Sequence, residues 1–371
     1  MSSHGIKDRV AIVGMSCTPF REHFNRSRDD LLIDAADEVL AAVGVTKQDI
    51  DAYWMGMAVS GSSGIVLASA LKLQGKPVTR VENYCATGSE ALRQAAYAVA
   101  SGAYDIAMAI GCDKFKDTGF AGTNANNKYG VDRSELRMAV AKIAEKNHYN
   151  GARNPRAQFR KETSAEDICK MAAVAGELSV FDCAGVADGA AAAIVVRAED
   201  AHRYTDKPVF IKGMSVVAGD GSGLVDPSYD FTTFPEVVAA AEDAYQQAGV
   251  DDPRSQVAMA EVHDCFTPTE LVLMEDLRFA ERGTAWKEVL AGTFALDGSL
   301  PVNTDGGLKS FGHPVGASGL RMHYECFLQL RGEAPENRRI ANDRKLAVVH
   351  NLGGYPGEMV SFVSVVGTEP G

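Results

Sequence analysis

The strongest constraint on the fold is an internal echo. Ala240–Val250 (AAEDAYQQAGV) repeats Ala35–Val45 (AADEVLAAVGV) at an offset of 205 residues. In both stretches apolar residues recur at helical spacing and stop at Gly-Val. A polar turn and an apolar strand follow each, Ile50–Gly56 in the first case and Val257–Val262 in the second. Farther on, Gly316–Leu330 mirrors the helix that starts near Gly88. Helices ending at Gly-Val also arise by coincidence, but the matching order of elements favours two similar α/β halves on one chain. The halves are expected at 1–205 and 206–371.

Within each half, strands alternate with helices. Arg9–Met15, Asp51–Ala58, Thr79–Tyr84 and Tyr104–Gly111 read as strands. Leu31–Val43 and Ala86–Ser101 read as helices, the first ending before a capping Gly44. Such alternation argues for parallel strands joined by crossover helices. Asp113–Ala165 breaks the pattern. It is polar, with a helix predicted at Arg133–Asn147 and a loop at Gly151–Gln158, and it reads as an excursion from the main fold. Gly185–Val196 returns to a strand, and Lys345–His350 and Glu358–Val366 close the chain.

Charge and cysteine usage narrow the function. The net charge of −12 repels a phosphate backbone, which argues against general nucleic-acid binding. No apolar run is long enough for a membrane span, and Met1–Asp8 is polar with no signal-peptide core. Seven scattered cysteines, without a CxxC pair, do not make a disulfide framework or a structural zinc site. They read as reduced thiols in a cytoplasmic protein.

The groups that could carry chemistry fall at strand ends. Cys85 lies in VENYCATGS, between a predicted strand and a helix of small residues. A thiol at that junction meets free backbone N–H groups and the positive end of a helix dipole, which favour a thiolate. A cysteine there could equally be a small buried apolar residue. His263 and Cys265 follow another apolar strand, two residues apart and so on one face of an extended segment. They could donate hydrogen bonds and carry protons, or the histidine could be structural. Pro268 suits the first turn of the next helix.

His313 sits in Asn303–Gly319, a stretch with five glycines and one proline. Such a loop brings backbone close to a ligand, and a histidine at its tip could take a proton from a thiol. It could also be a surface turn. Neither GxxxxGK[ST] nor GxGxxG is present. His350 begins HNLGG at the end of a further strand, either turned to solvent or adding one more polar group to the set. In open α/β folds, strand ends are where ligands bind.

Together, ENYCATGSEAL, HDCF at His263–Phe266, NTDGGLKSFGHPVGASG and the terminal HNLGG resemble the thiolase superfamily. The nearest branch is that of sterol-carrier-protein-like thiolases and acetyl-CoA acetyltransferases, and the resemblance spans nearly the whole chain. It implies a thiolase fold: two βαβαβαββ halves in five layers, α-β-α-β-α, with a loop domain inserted in the first. It implies a dimer or higher oligomer. It implies that Cys85 takes the acyl group from coenzyme A, that His313 activates it, that His263 is an oxyanion donor and that Cys265 is the second acid/base. Gly316, Ser318, His350 and Gly353 are the positions it implies for holding coenzyme A, and no metal is expected.

Two departures stand out. Many thiolases place the second catalytic cysteine in a CxG loop near the C-terminus, where this chain has HNLGG. The region from Gly111 to Lys146 is also short for the family. A shortened cover over coenzyme A points to an unusual substrate or to a partner that completes the site. The resemblance implies cleavage or formation of the C–C bond of a 3-oxoacyl-CoA, the substrate being acetoacetyl-CoA, a longer 3-oxoacyl-CoA or a bulky, aryl-substituted one such as benzoylsuccinyl-CoA. In this branch the partner would be a small zinc-ribbon/OB-fold protein. The competing readings are a thiolase-like retro-aldolase acting on a steroid side-chain CoA ester and a non-catalytic scaffold subunit.

Overall fold

A computed structural model describes residues 4–118, 134–221, 223, 226 and 228–370. In the first half the elements are β1 (Val10–Cys17), α1 (Arg28–Val43), β2 (Ala52–Gly56), α2 (Ile65–Leu71), β3 (Val78–Val81), α3 (Thr87–Ala100) and β4 (Ile106–Lys114). Then come α4 (Ser134–Ala152), α5 (Ala165–Cys169), the hairpin β5 (Ala173–Ala175) and β6 (Leu178–Ser179), and β7 (Asp188–Arg197). The second half holds β8 (Val209–Ala218), α6 (Pro235–Ala248), α7 (Pro253–Gln256), β9 (Val257–Glu261), α8 (Thr267–Asp276) and α9 (Ala285–Leu290). It ends with α10 (Gly307–Phe311), α11 (Val315–Leu330), β10 (Leu346–Tyr355) and β11 (Glu358–Gly367).

The two runs of strands pair alike. The first lies in the order β3-β2-β4-β7-β1 and the second in the order β9-β10-β11-β8. Beyond β9, Val302 bridges Ala260 in parallel, in the place β3 holds beside β2. β2–β4 and β9–β10 are parallel, whereas β7 and β11 run antiparallel to their neighbours. The runs join where β1 meets β8, through Ala11–Phe210 and Ile12–Val209. β2 begins at Ala52 and β9 at Val257, the same 205-residue offset as the sequence echo.

Strand parity sorts the core into layers. In β4, Ala107 and Ala109 face the cluster that holds α3 and α11, while Ile106, Met108 and Ile110 face α1 and α2. In β10, Ala347 and Val349 share the α3/α11 cluster, while Val348 and Leu352 join α6 and α8. Helices therefore cover both outer faces, and α3 and α11 fill the middle. The helix ends follow local chemistry. Ser27 and Asp30 form a capping box before α1, and Gly44 ends it with φ of 76°. Pro268 lies in the first turn of α8.

The excursion is longer than expected. The chain leaves the sheet after Lys114 and rejoins it only at Asp188, because α5 and the β5–β6 hairpin follow the anticipated end at Ala165. Gly151, read as loop, closes the last turn of α4. Residues 119–133, the middle of the stretch read as shortened, lie outside the described residues. Among the described residues no helix is long and apolar enough to cross a membrane.

The middle layer is tight where its two helices begin. A Cβ built on Gly111 would lie 2.0 Å from the carbonyl oxygen of Gly316, and one on Gly88 would lie 2.8 Å from it. These contacts are backbone, which cannot swing aside. Gly111→Ala should therefore destabilise the protein by about 1–3 kcal/mol, the usual cost of overpacking, read as a lower urea midpoint at unchanged slope.

Candidate active site

Cys85 sits on a tight turn. β3 ends at Val81, and the chain then reverses through Tyr84, whose φ is +49°. That conformation costs a non-glycine residue about 1–2 kcal/mol. Local bonds hold it: Ala86 N–H donates to the Asn83 carbonyl, Thr87 N–H to the Tyr84 carbonyl, and Asn83 N–H to Thr87 Oγ1 at 2.8 Å. Gly353, on β10, backs directly onto the turn. A Cβ there would stand 2.5 Å from the Asn83 carbonyl oxygen and 2.9 Å from the Cys85 amide nitrogen.

Three reactive groups converge on this point. Cys85 Sγ and ring nitrogens of His263 and His313 all lie within 4.8 Å of one another. The two rings are 5.4 Å apart and nearly perpendicular, at 83°. Nε2 of each is buried and has no partner among the described residues.

The partners of the other ring nitrogens suit opposite tautomers. Ser318 Oγ donates its only proton to the Pro314 carbonyl at 2.9 Å, so it accepts from His313 Nδ1–H at 2.7 Å. His313 Nε2 then carries a lone pair. On the other side, Ser89 Oγ donates to Asn351 Oδ1 at 3.0 Å, which turns the Asn351 amide nitrogen toward His263 Nδ1, also at 3.0 Å. His263 Nδ1 accepts, so its Nε2 carries the proton. One imidazole can take a proton and the other can donate a hydrogen bond. Gly319 leaves the space for this relay, since a Cβ there would meet Ser89 Oγ at 2.2 Å.

Burial keeps the groups neutral. It pushes the Cys85 thiol up to about 12, with the Asp113 carboxylate adding to the shift. It pushes His313 down to about 3, and it holds His263 well below the usual range with His313 and His350 adding to the effect. Cys265 is raised well above the ordinary thiol value by burial and then by Cys85. Its backbone is pinned by Ala184 N–H, which donates to the Cys265 carbonyl at 2.8 Å.

The other expected site residues have different surroundings. Gly316 is buried at the start of α11, with its N–H donated to Asp113 at 2.8 Å, so it packs helices and has no free donor for coenzyme A. Ser318 is buried and spent on His313 and Pro314, so it orients the histidine. His350 shares the parity of Val348 and Leu352 and approaches Ser361 Oγ at 3.4 Å, on the opposite face of β10 from Asn351. Gly353 alone of these four lies against the nucleophile turn.

Sequence reasoning left three contributors without roles. Ser89 is one turn beyond Cys85 on α3, and Asn351 follows His350, so parity along the strand was the signal that separates them. Asp113, next to last in β4, is fully buried and accepts from Ala58, Val59, Ser60 and Gly316 N–H groups, all at 2.8–3.0 Å. A carboxylate at a strand end was visible, but the loop it ties down was not.

Comparison with known proteins identifies the family. The model "Thiolase, N-terminal domain" matches residues 10–118, and "Thiolase C-terminal domain-like" matches residues 224–366. The chain is 33% identical to an acetyl-CoA acetyltransferase of Methanothermobacter thermautotrophicus, covering 94% of this chain and 97% of that one. It is 30% identical to sterol carrier protein 2 of Bos taurus, over 95% of this chain and 71% of the other. It is 28% identical to the benzoylsuccinyl-CoA thiolase subunit BbsB of Thauera aromatica, over 94% and 96%. Among solved structures, one described as an Ltp2-ChsH2(DUF35) aldolase superposes with a TM-score of 0.82 at 22% identity, covering 98% of each chain, a likeness of fold. With its strand order, its middle pair of helices and these matches, the chain belongs to the thiolase family of acyltransferase enzymes.

Proposed function

We propose that the chain cleaves or forms the C–C bond of a 3-oxoacyl-CoA through an acyl group carried on Cys85. The observation that carries this reading is the convergence of one thiol and two imidazoles whose other ring nitrogens have partners that suit opposite tautomers. In the degradative direction Cys85 Sγ attacks the 3-oxo carbon and its proton passes to His313 Nε2. The C2–C3 bond breaks, and its electrons pass into the thioester as an enolate. His263 Nε2–H donates to that enolate oxygen, and Cys265 gives a proton to C2. The thiol of free CoA then attacks the acyl-Cys85 thioester. Its proton restores Cys265, and His313 returns its own to Cys85. An oxyanion donor of this kind contributes about 3 kcal/mol to such a step.

Relatedness to a benzoylsuccinyl-CoA thiolase subunit supports a bulky or aryl-substituted acyl group. The halves 1–205 and 206–371, a homodimer and a small zinc-ribbon/OB-fold partner over the site belong to the same proposal. A chain fully active when purified alone would remove the partner.

The decisive experiment is intact-protein mass after brief exposure to acetyl-CoA and a panel of 3-oxoacyl-CoA esters, with peptide mapping. An acyl adduct on Cys85, absent from Cys85→Ala, is expected, and its mass names the acyl half. No adduct with any ester, with the partner present, would turn the reading to retro-aldol cleavage or a scaffold. Asn351→Leu should free His263 to change tautomer. It should slow C–C cleavage by about 10²–10³-fold while Cys85 still accepts an acetyl group from acetyl-CoA, resolved by single-turnover kinetics. The pH dependence follows from His313. Its pKa is depressed to about 3, so the neutral base persists as pH falls through the ordinary histidine range. The acylation rate should therefore hold level from pH 8 to about pH 6, where a solvent-exposed histidine base would already be losing activity.

A further inference from the structure

We propose that Cys85, His263 and His313 also form a zinc-binding site, and that the ion holds the enzyme in a reversible inactive state. The three donor atoms lie within 4.8 Å of one another. A tetrahedral zinc ion with a thiolate at about 2.3 Å and imidazoles at about 2.0 Å needs these atoms about 3.5 Å apart. Side-chain rotations that draw them in by up to about 1.3 Å would close the site. One thiolate with two imidazoles is a donor set that suits zinc, and coordination would release the Cys85 proton to solvent. The two Nε2 atoms are the second, independent observation: both are buried and neither has a partner among the described residues.

The surrounding hydrogen bonds suit metal ligation too. A metal-bound histidine donates its remote N–H to an oxygen. His313 already does so, through Nδ1–H to Ser318 Oγ at 2.7 Å. His263 would reach the same state by one rotation of the Asn351 amide. Oδ1 would then accept from His263 Nδ1–H, and the amide nitrogen would donate to Ser89 Oγ, which can accept as well as donate. The same asparagine would thus hold His263 as an oxyanion donor in one orientation and as a ligand in the other. Three protein ligands leave a fourth position for water. The ion would occupy the thiol and both imidazoles, so metal binding and acylation would exclude each other. That exclusion rests on the proposed function; the binding itself does not.

Cobalt(II) provides the test, as a coloured stand-in for zinc. The full-length protein should bind one ion per chain, with a dissociation constant of about 1 μM or tighter, and show a thiolate-to-cobalt charge-transfer band that zinc removes. Cys85→Ala and the wild type acetylated at Cys85 should lack the band, and His313→Ala should bind at least about tenfold more weakly. Circular dichroism would establish that each variant is folded. Zinc should abolish acyl transfer, and a chelator should restore it. The proposal is overturned by a charge-transfer band that survives in Cys85→Ala, by no binding at about 100 μM free cobalt, or by undiminished acyl transfer with the site loaded. If no ester acylates Cys85, the functional reading fails while the cobalt titration still decides the metal site.

Discussion

Two helix N-termini meet with backbone against backbone, and the catalytic geometry hangs on that contact. α3 and α11 are equivalent in the two halves, and each starts two residues after a reactive side chain, Cys85 before Thr87 and His313 before Val315. Placing the helix starts side by side therefore places a thiol beside an imidazole. The distance can be short only because Gly88, Gly111 and Gly316 carry no Cβ where they touch. The strand ends around the contact divide the remaining work. Near the end of β4, Asp113 ties the loop after β2 to the start of α11. β10 brings Asn351 to His263, just after β9. Similar places in the two halves serve structure in one and chemistry in the other.

This division explains what could be seen in the sequence. The 205-residue echo works because a helix that must cover a sheet keeps its apolar spacing and its glycine stop, and α1 and α6 do both. Cys85 stood out because a strand-to-helix junction is a local property, and His313 because a glycine-rich stretch before a helix is one too. Ser89 and Asn351 are 262 residues apart, and nothing local links them. HNLGG draws attention to His350, yet Asn351 is the residue that meets His263, because strand parity, which the motif does not reveal, turns the two to opposite faces. Gly316 and Ser318 lie in a glycine-rich stretch that reads as a ligand loop. In the fold, the glycine admits a neighbouring helix and the serine turns a histidine. The excursion ran past Ala165 because a three-residue strand and a two-residue strand are too short to show a period.

Below the site, buried charge holds the loops in register. Arg321 on α11 reaches Glu261 at 2.7 Å and Asp305 at 2.6 Å, and all three are buried. Glu261 ends the strand that delivers His263, and Asp305 opens the loop that delivers His313. Asp264 adds a second clamp by accepting the Leu308 and Lys309 N–H groups at the start of α10. A buried ion triad of this kind is weak evidence for stability, because its desolvation is costly. Its value here is directional. It joins α11, the end of β9 and the loop before α10, so the two histidines cannot drift apart independently.

The same burial sets the resting state of the chemistry. A thiol raised to about 12 beside an imidazole lowered to about 3 does not form a thiolate–imidazolium pair by itself. The proton must move as the carbon–sulfur bond forms, when an electrophilic carbonyl lowers the demand on both groups. A nucleophile held this way is inert toward chance oxidants, whose attack follows thiolate character. The opposed tautomers supply what the missing charge does not. His313 has a lone pair ready for the departing proton, and His263 has an N–H ready for the oxyanion. Neither must reorganise during the step, and preorganisation of this kind is where a dry, neutral site gains its rate.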